Sequence, residues 1–222
     1  MKMFIGNKSA KSIRDEDKLW AGRARKYEGI FEDCEVLIRE QYRVLIIFHF
    51  NETKDEIQTL LHNRKRTWVE FNSALDLQKW IEGYYADKIC MVCSDRIVDD
   101  ITENDSPIHS EKNLYVIVAE HYPLFQRDED VTAWTNRLSS GTVCYHESLD
   151  SELMKLFGSD KILSLLEKMN WDKNTFMSHS FITKAVENVQ KTISEKATGD
   201  VRSDSAEKWF EYNYPPLNSI QS

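Results

Sequence analysis

Apolar positions along the chain follow two rhythms. From Arg43 to Phe50 they run almost without interruption (Val44, Leu45, Ile46, Ile47, Phe48, Phe50). That length and β-branched content predict a strand buried on both faces. Lys88–Cys93 and Leu114–Ala119 have the same character, and shorter runs at Thr67–Phe71 and Thr142–His146 predict two more strands. Between them the period lengthens. The pattern from Arg14 to Arg43 is helical, with Ile30, Cys34, Leu37 and Ile38 at i, i+4, i+7 and i+8. Asn51-Glu52-Thr53 offers a cap for a helix through Ile57, Leu60 and Leu61. Further helices are expected over Ser73–Tyr85 and about Asp128–Leu138, whereas the acidic, turn-rich residues 95–113 predict a loop. Strands alternating with helices predict crossovers and a mostly parallel five-stranded sheet, an α/β domain.

Residues 151–191 carry two amphipathic segments. Leu153, Met154, Leu156, Phe157, Ile162, Leu163, Leu165, Leu166 and Met169 form the first, interrupted by Gly158. Phe181, Ile182, Ala185, Val186, Val189 and Ile193 form one stripe of the second. Together they predict a helical hairpin with a buried seam. The expected organisation is a polar arm and helix start over 1–25, an α/β domain over 26–148, a helical appendage over 149–198 and a polar tail over 199–222.

The 222 residues carry a net charge of −8, which argues against a general nucleic-acid binder. No apolar run approaches the ~20 residues of a membrane span, and the first residues lack the apolar core of a signal peptide. Cys34, Cys90, Cys93 and Cys144 sit in apolar segments and read as reduced, buried thiols of a cytoplasmic protein. Cys90 and Cys93 fall on opposite faces of one strand, so core packing is favoured over zinc or redox chemistry.

LMKLFGSDKI, a short polar linker, His179 and KAVENVQK resemble the segment after the second motor domain of SecA, the bacterial protein-export ATPase. Upstream, Met91-Val92-Cys93-Ser94-Asp95-Arg96-Ile97-Val98-Asp99-Asp100-Ile101 stands where that family has Thr-Asn-x-Ala-Gly-Arg-Gly-Thr-Asp-Ile. Leu114–Glu120 resembles its next strand, Asp130–Gly141 its arginine motif and Cys144–Ser159 its FYLSLEDxLMxLFGS block. The resemblance spans roughly residues 26–195 and implies a RecA-like, mostly parallel sheet with helices on both faces. It also implies relic nucleotide-facing positions at Ser94, Asp95, Asp100 and Arg137.

The departures are as telling. A P-loop needs G-x-x-x-x-G-K-[ST], and no two of Gly6, Gly22, Gly29, Gly83, Gly141, Gly158 and Gly199 are five apart. Ile97 and Val98 stand where backbone would approach a nucleotide, and Trp134 replaces the first arginine of the arginine motif. The expectation is a non-catalytic module that binds a protein partner, such as a motor ATPase or a second copy, with no metal and no cofactor. Two alternatives stay open. One is half of a split motor, in which a P-loop partner chain brings ATP and Arg137 completes the site. The other is a nucleic-acid binder using His62–Arg66. Candidate partner-binding residues are Arg64, Lys65 and Arg66 at a helix end, and Trp209, Phe210 and Tyr212 in the tail, where folding back onto the domain is the competing outcome. His179 reads as a structural cap.

Overall fold

The computed structural model describes residues 13–85, 88–97, 108, 113–138, 141–157, 166 and 171–214. Its eight strands are β1 (Ile13–Arg14), β2 (Lys18–Trp20), β3 (Arg43–Phe48), β4 (Val69–Glu70), β5 (Ile89–Cys93), β6 (Leu114–Val118), β7 (Gly141–Ser148) and β8 (Met177–Ser178). They form one sheet in the order β4-β5-β3-β6-β7-β2-β8, with β1 also on β7. Every pairing is parallel except β2 with β8. The helices are α1 (Arg23–Arg39), α2 (Asn51–Asn63), α3 (Ala74–Ile81), α4 (Phe125–Thr135), α5 (Glu152–Phe157), α6 (Ser180–Lys196) and α7 (Ala206–Asn213).

Alternation along the central strands sorts their side chains into two layers. Leu45, Ile47, Cys90, Val92, Val116 and Val118 pack beneath α3 and α4 against Trp80 and Trp134. Val44, Ile46, Phe48, Ile89, Met91 and Ile117 face α1 and α2, meeting Tyr27, Ile30, Cys34, Ile57 and Leu61. The sheet is covered on both faces, as its unbroken apolar strands require. Cys90 packs in the first layer and Cys93 against the second, the opposite faces expected from their odd spacing. Burial pushes the Cys93 thiol up to about 11, away from nucleophile chemistry.

The sheet is wider than the five strands expected. Residues from Arg14 onward begin as strand and not helix: β1 and β2 pair with the edge of β7 that β6 leaves open. That edge carries unpaired N–H and C=O groups, and satisfying them outweighs the weak helical pattern around Arg14. Within the expected loop, 94–97 make one helical turn and Ile97 is fully buried, while Ile108 bridges to Leu138. The helix expected from Asp128 already starts at Phe125.

A third cluster joins the appendage to the sheet. Leu153, Met154 and Leu166 meet Ile182, Val186 and Ile193 along the α5–α6 seam, and Trp209 of α7 completes it with Phe50 and Tyr122. Most of the expected first hairpin helix, 158–165 and 167–170, lies outside the described residues. Phe181 and Leu156, both assigned to buried stripes, are exposed. Phe181 sits in the first turn of α6, beside Ile182, which does enter the seam. His179 caps α6 as expected: its Nδ1 accepts the Phe181 N–H at 3.0 Å.

Gly29 of α1 marks a close approach. A Cβ there would lie 2.2 Å from the Trp20 ring. That ring is buried and held by Nε1–H donation to His146 Nδ1 at 3.2 Å. Gly29→Ala gains ~1 kcal/mol of helix propensity but forces an overlap costing ~1–3 kcal/mol or more. Urea unfolding is expected to report net destabilisation; a raised midpoint would show that the ring yields freely.

Candidate functional site

In open α/β sheets, ligands bind outside the carboxyl ends of the strands where the strand order reverses. Here the chain leaves β3 toward β4 and β5 on one side, then returns to β6 on the other, so the switch point lies at the end of β3. A cavity of about 560 Å3 opens there. Phe48–Asn51 lie at the end of β3, Cys93, Asp95 and Arg96 at the end of β5, and Tyr122 follows β6; Arg202–Asp204, Lys208 and Tyr212 also line it.

Beneath it runs a buried chain of polar groups. His49 Nδ1 and Ser94 Oγ are 2.8 Å apart, and His49 Nε2 lies 3.3 Å from Asp128 Oδ1. Asp128 Oδ2 accepts from His121 Nδ1 at 2.6 Å and from Gln190 Nε2 of α6 at 2.7 Å. The other ring nitrogen of His121 reaches Asp17 Oδ2 at 3.2 Å, and Asp17 also pairs with Arg14 at 3.3 Å. Burial alone would lower the His121 pKa, but the two carboxylates outweigh it and raise it to about 10. Burial likewise pushes Asp17 and Asp128 up, and the imidazolium prevails and lowers both. Beside this chain, Glu120 accepts from the backbone N–H groups of His49 and Phe50, fixing the turn into α2.

The far wall is held by Asp200. It accepts from Trp209 Nε1 at 2.8 Å, from Arg127 Nε and Nη2 at 3.0 and 2.8 Å, and from the Tyr122 hydroxyl. Asp204 adds an N-terminal clasp on α2: its carbonyl accepts the Glu52 N–H at 3.0 Å and its carboxylate accepts from Asn51 Nδ2 at 3.1 Å.

The expected site residues divide. Ser94 and Asp95 do lie at the switch point, Ser94 buried against His49 and Asp95 on the cavity wall. Arg137 does not join them. It follows α4 and precedes β7, at the amino end of the sheet, where its carbonyl accepts the Ile108 N–H. β5 alone separates the two ends by roughly 15 Å. Asp100 is outside the described residues. Arg64 and Arg66 pair with Glu28 and Glu35 of α1, and Lys65 takes a left-handed conformation (φ 56°) just past α2. Trp209 is fully buried and Phe210 partly so, whereas Tyr212 is exposed at the cavity. His49, His121, Asp128 and Asp200 were not among the expected site residues. A signal existed for the first two: His49, Glu120-His121 and His146-Glu147 each end an apolar strand. Among the described residues no group of three His, Cys, Asp or Glu is placed to hold a metal ion, and no helix is long and apolar enough to cross a membrane.

Comparison with known proteins finds relatives over most of the chain. Protein translocase subunit SecA 1 of Chlorobium chlorochromatii is 24% identical over 186 residues, 82% of this chain and 18% of that protein. SecA of Chlorobium phaeovibrioides is 29% identical over 186 residues, with the same coverage. The chain resembles SecA. SecA of Bacteroides thetaiotaomicron, 24% identical over 190 residues, extends the likeness beyond the chlorobia. The chain thus spans less than a fifth of the length of the SecA proteins it matches. No family model matches it. Among solved structures, the C-terminal part of the Fun30 ATPase domain aligns over 77% of this chain and 54% of its own, at 13% identity and a TM-score of 0.44. The SecA-like chain is a mostly parallel α/β domain with a helical extension.

Two outcomes follow from the buried chain and the clasp. His121 holds a proton in the folded protein up to about pH 10 but in the unfolded chain only to about 6.5. Its stabilisation is therefore complete below pH 6.5 and is lost as the pH rises toward 10. Urea unfolding across that window is expected to lose stability with a slope of up to one proton, and His121→Gln to be less stable and flat there. Asp200→Ala strands the Trp209 indole N–H, at a cost of about 1–3 kcal/mol. It is expected to shift Trp fluorescence as the tail loosens; an unchanged spectrum and midpoint would contradict the clasp.

Proposed function

We propose that this SecA-like domain is a non-catalytic interaction module that binds a protein partner. The observation that carries this reading is the state of the carboxyl edge. A nucleotide clamp needs bare backbone near the phosphates and guanidinium groups gathered on them. At this edge Ile97 is buried core, the Ser94 hydroxyl is tied to His49, and residues 200–212 of the same chain form the facing wall. Arg137, the one arginine retained from the family motif, lies at the other end of the sheet, which counts against a split motor completed in trans. The pairing of Arg64 and Arg66 with Glu28 and Glu35, on a chain of net charge −8, counts against nucleic acid. What the fold retains is a rigid α/β scaffold with a helical extension, suited to presenting a surface.

ATP hydrolysis by the purified chain is expected to stay at the buffer background, and Arg137→Ala to leave it there. Motor-like turnover that Arg137→Ala abolishes would overturn the reading.

A further inference from the structure

We infer that the carboxyl-edge crevice is the docking site for an acidic segment of the protein partner, one carrying Asp or Glu beside apolar side chains. This inference rests on the interaction-module reading and names the chemistry of its partner.

Charge is the first argument. Lys54, Arg96, Arg202 and Lys208 line the crevice, against Glu70, Asp95 and Asp204. Each of these carboxylates is engaged within the chain, two of them with the crevice cations Lys54 and Arg202, so the lining carries one cation more than carboxylates. Glu70 takes Gln58 at 2.8 Å and Lys54 at 3.7 Å, Asp95 takes Arg202 at 2.8 Å, and Asp204 takes the Asn51 amide. Lys208 forms no ion pair among the described residues and is exposed. A chain of net charge −8 repels acidic segments over most of its surface, so a local cationic excess here steers them to one place.

The rim supplies the second argument. Tyr212, which lines the crevice, is 57% exposed, and Val201, next to Arg202 in the chain, is 60% exposed. The Val201 N–H donates to Asn213 Oδ1 at 2.6 Å, which ties the backbone before Arg202 to the end of α7. Large apolar groups standing beside cations at an open crevice suit a peptide with mixed acidic and apolar side chains. A polyphosphate or nucleic-acid strand would bring more negative charge than the cations balance, and would leave the apolar rim without contacts. In the other basic cluster Arg64 and Arg66 pair with Glu28 and Glu35 of α1, and no cavity opens beside them among the described pockets.

The test is fluorescence anisotropy on the full chain with a labelled short peptide of alternating Glu, Leu and Tyr. Its Gln-for-Glu counterpart, a labelled single-stranded oligonucleotide and inorganic pyrophosphate as competitor complete the set. The acidic peptide is expected to bind and the Gln peptide not. Lys208→Glu combined with Arg202→Glu is expected to weaken binding about tenfold or more, with the urea midpoint unchanged. Lys184→Glu, the same charge change on an exposed α6 position outside the crevice, is expected to leave binding as it was. Equal binding of both peptides, preference for oligonucleotide or pyrophosphate, absence of binding, or indifference to the double variant would overturn the docking site. Motor-like ATP turnover is what sinks the interaction-module reading, so the two failures are separable.

Discussion

A single imidazolium, His121, sits between two buried carboxylates, and the carboxyl edge of the sheet is assembled around it. A buried charge without partners costs several kcal/mol, so each of the three groups is stable only because the others are in place. Asp17 comes from the β1–β2 connection, His121 from the end of β6 and Asp128 from α4. Gln190 brings α6 to the same carboxylate, and also donates to the Tyr122 carbonyl at 2.7 Å. His49 closes the chain toward β3 and Ser94. The outer strands, the central strands and the appendage are thereby registered to one another by directional bonds, where apolar packing alone would leave them freer to slide.

That arrangement has a functional consequence. The end of an open α/β sheet where ligands ordinarily bind is here stiffened from below by a charge network and walled from the side by the tail. Asp200 fixes that wall through Trp209, Tyr122 and Arg127, so the crevice has a defined shape and not a loose flap. Its surface mixes cations with the exposed ring of Tyr212. In the turn after β5, where the chain has no glycine, the Ile97 side chain packs into the core.

Much of the architecture was legible in the chain. β3, β5, β6 and β7 are apolar runs that nothing but a doubly covered sheet can bury, and α2, α3 and α6 announce themselves by period and by caps such as Ser73 and His179. What escaped notice has a common cause. β1, β2 and β8 are two or three residues long and exist only because a neighbouring edge is open to them, so no local pattern encodes them. Arg137 matched a motif in sequence order, yet it lies at the opposite end of the strand from Ser94. Trp209 was a candidate for partner docking or for folding back onto the domain; it is core, with Asp200 accepting its indole N–H within a cluster of aromatic rings.

The sequence alone determined the alternation of strand and helix, the absence of a phosphate-cradling loop and the likeness to SecA. These depend on residue type and near-neighbour spacing, which a linear reading contains. Only the tertiary structure decided which polar residues share a site. Asp17 and His121 are 104 positions apart, Asp128 and Gln190 are 62 apart, and both contacts arise from strand order and helix docking. Whether a histidine at a strand end faces water or a pair of carboxylates is set by what is folded against it from elsewhere in the chain.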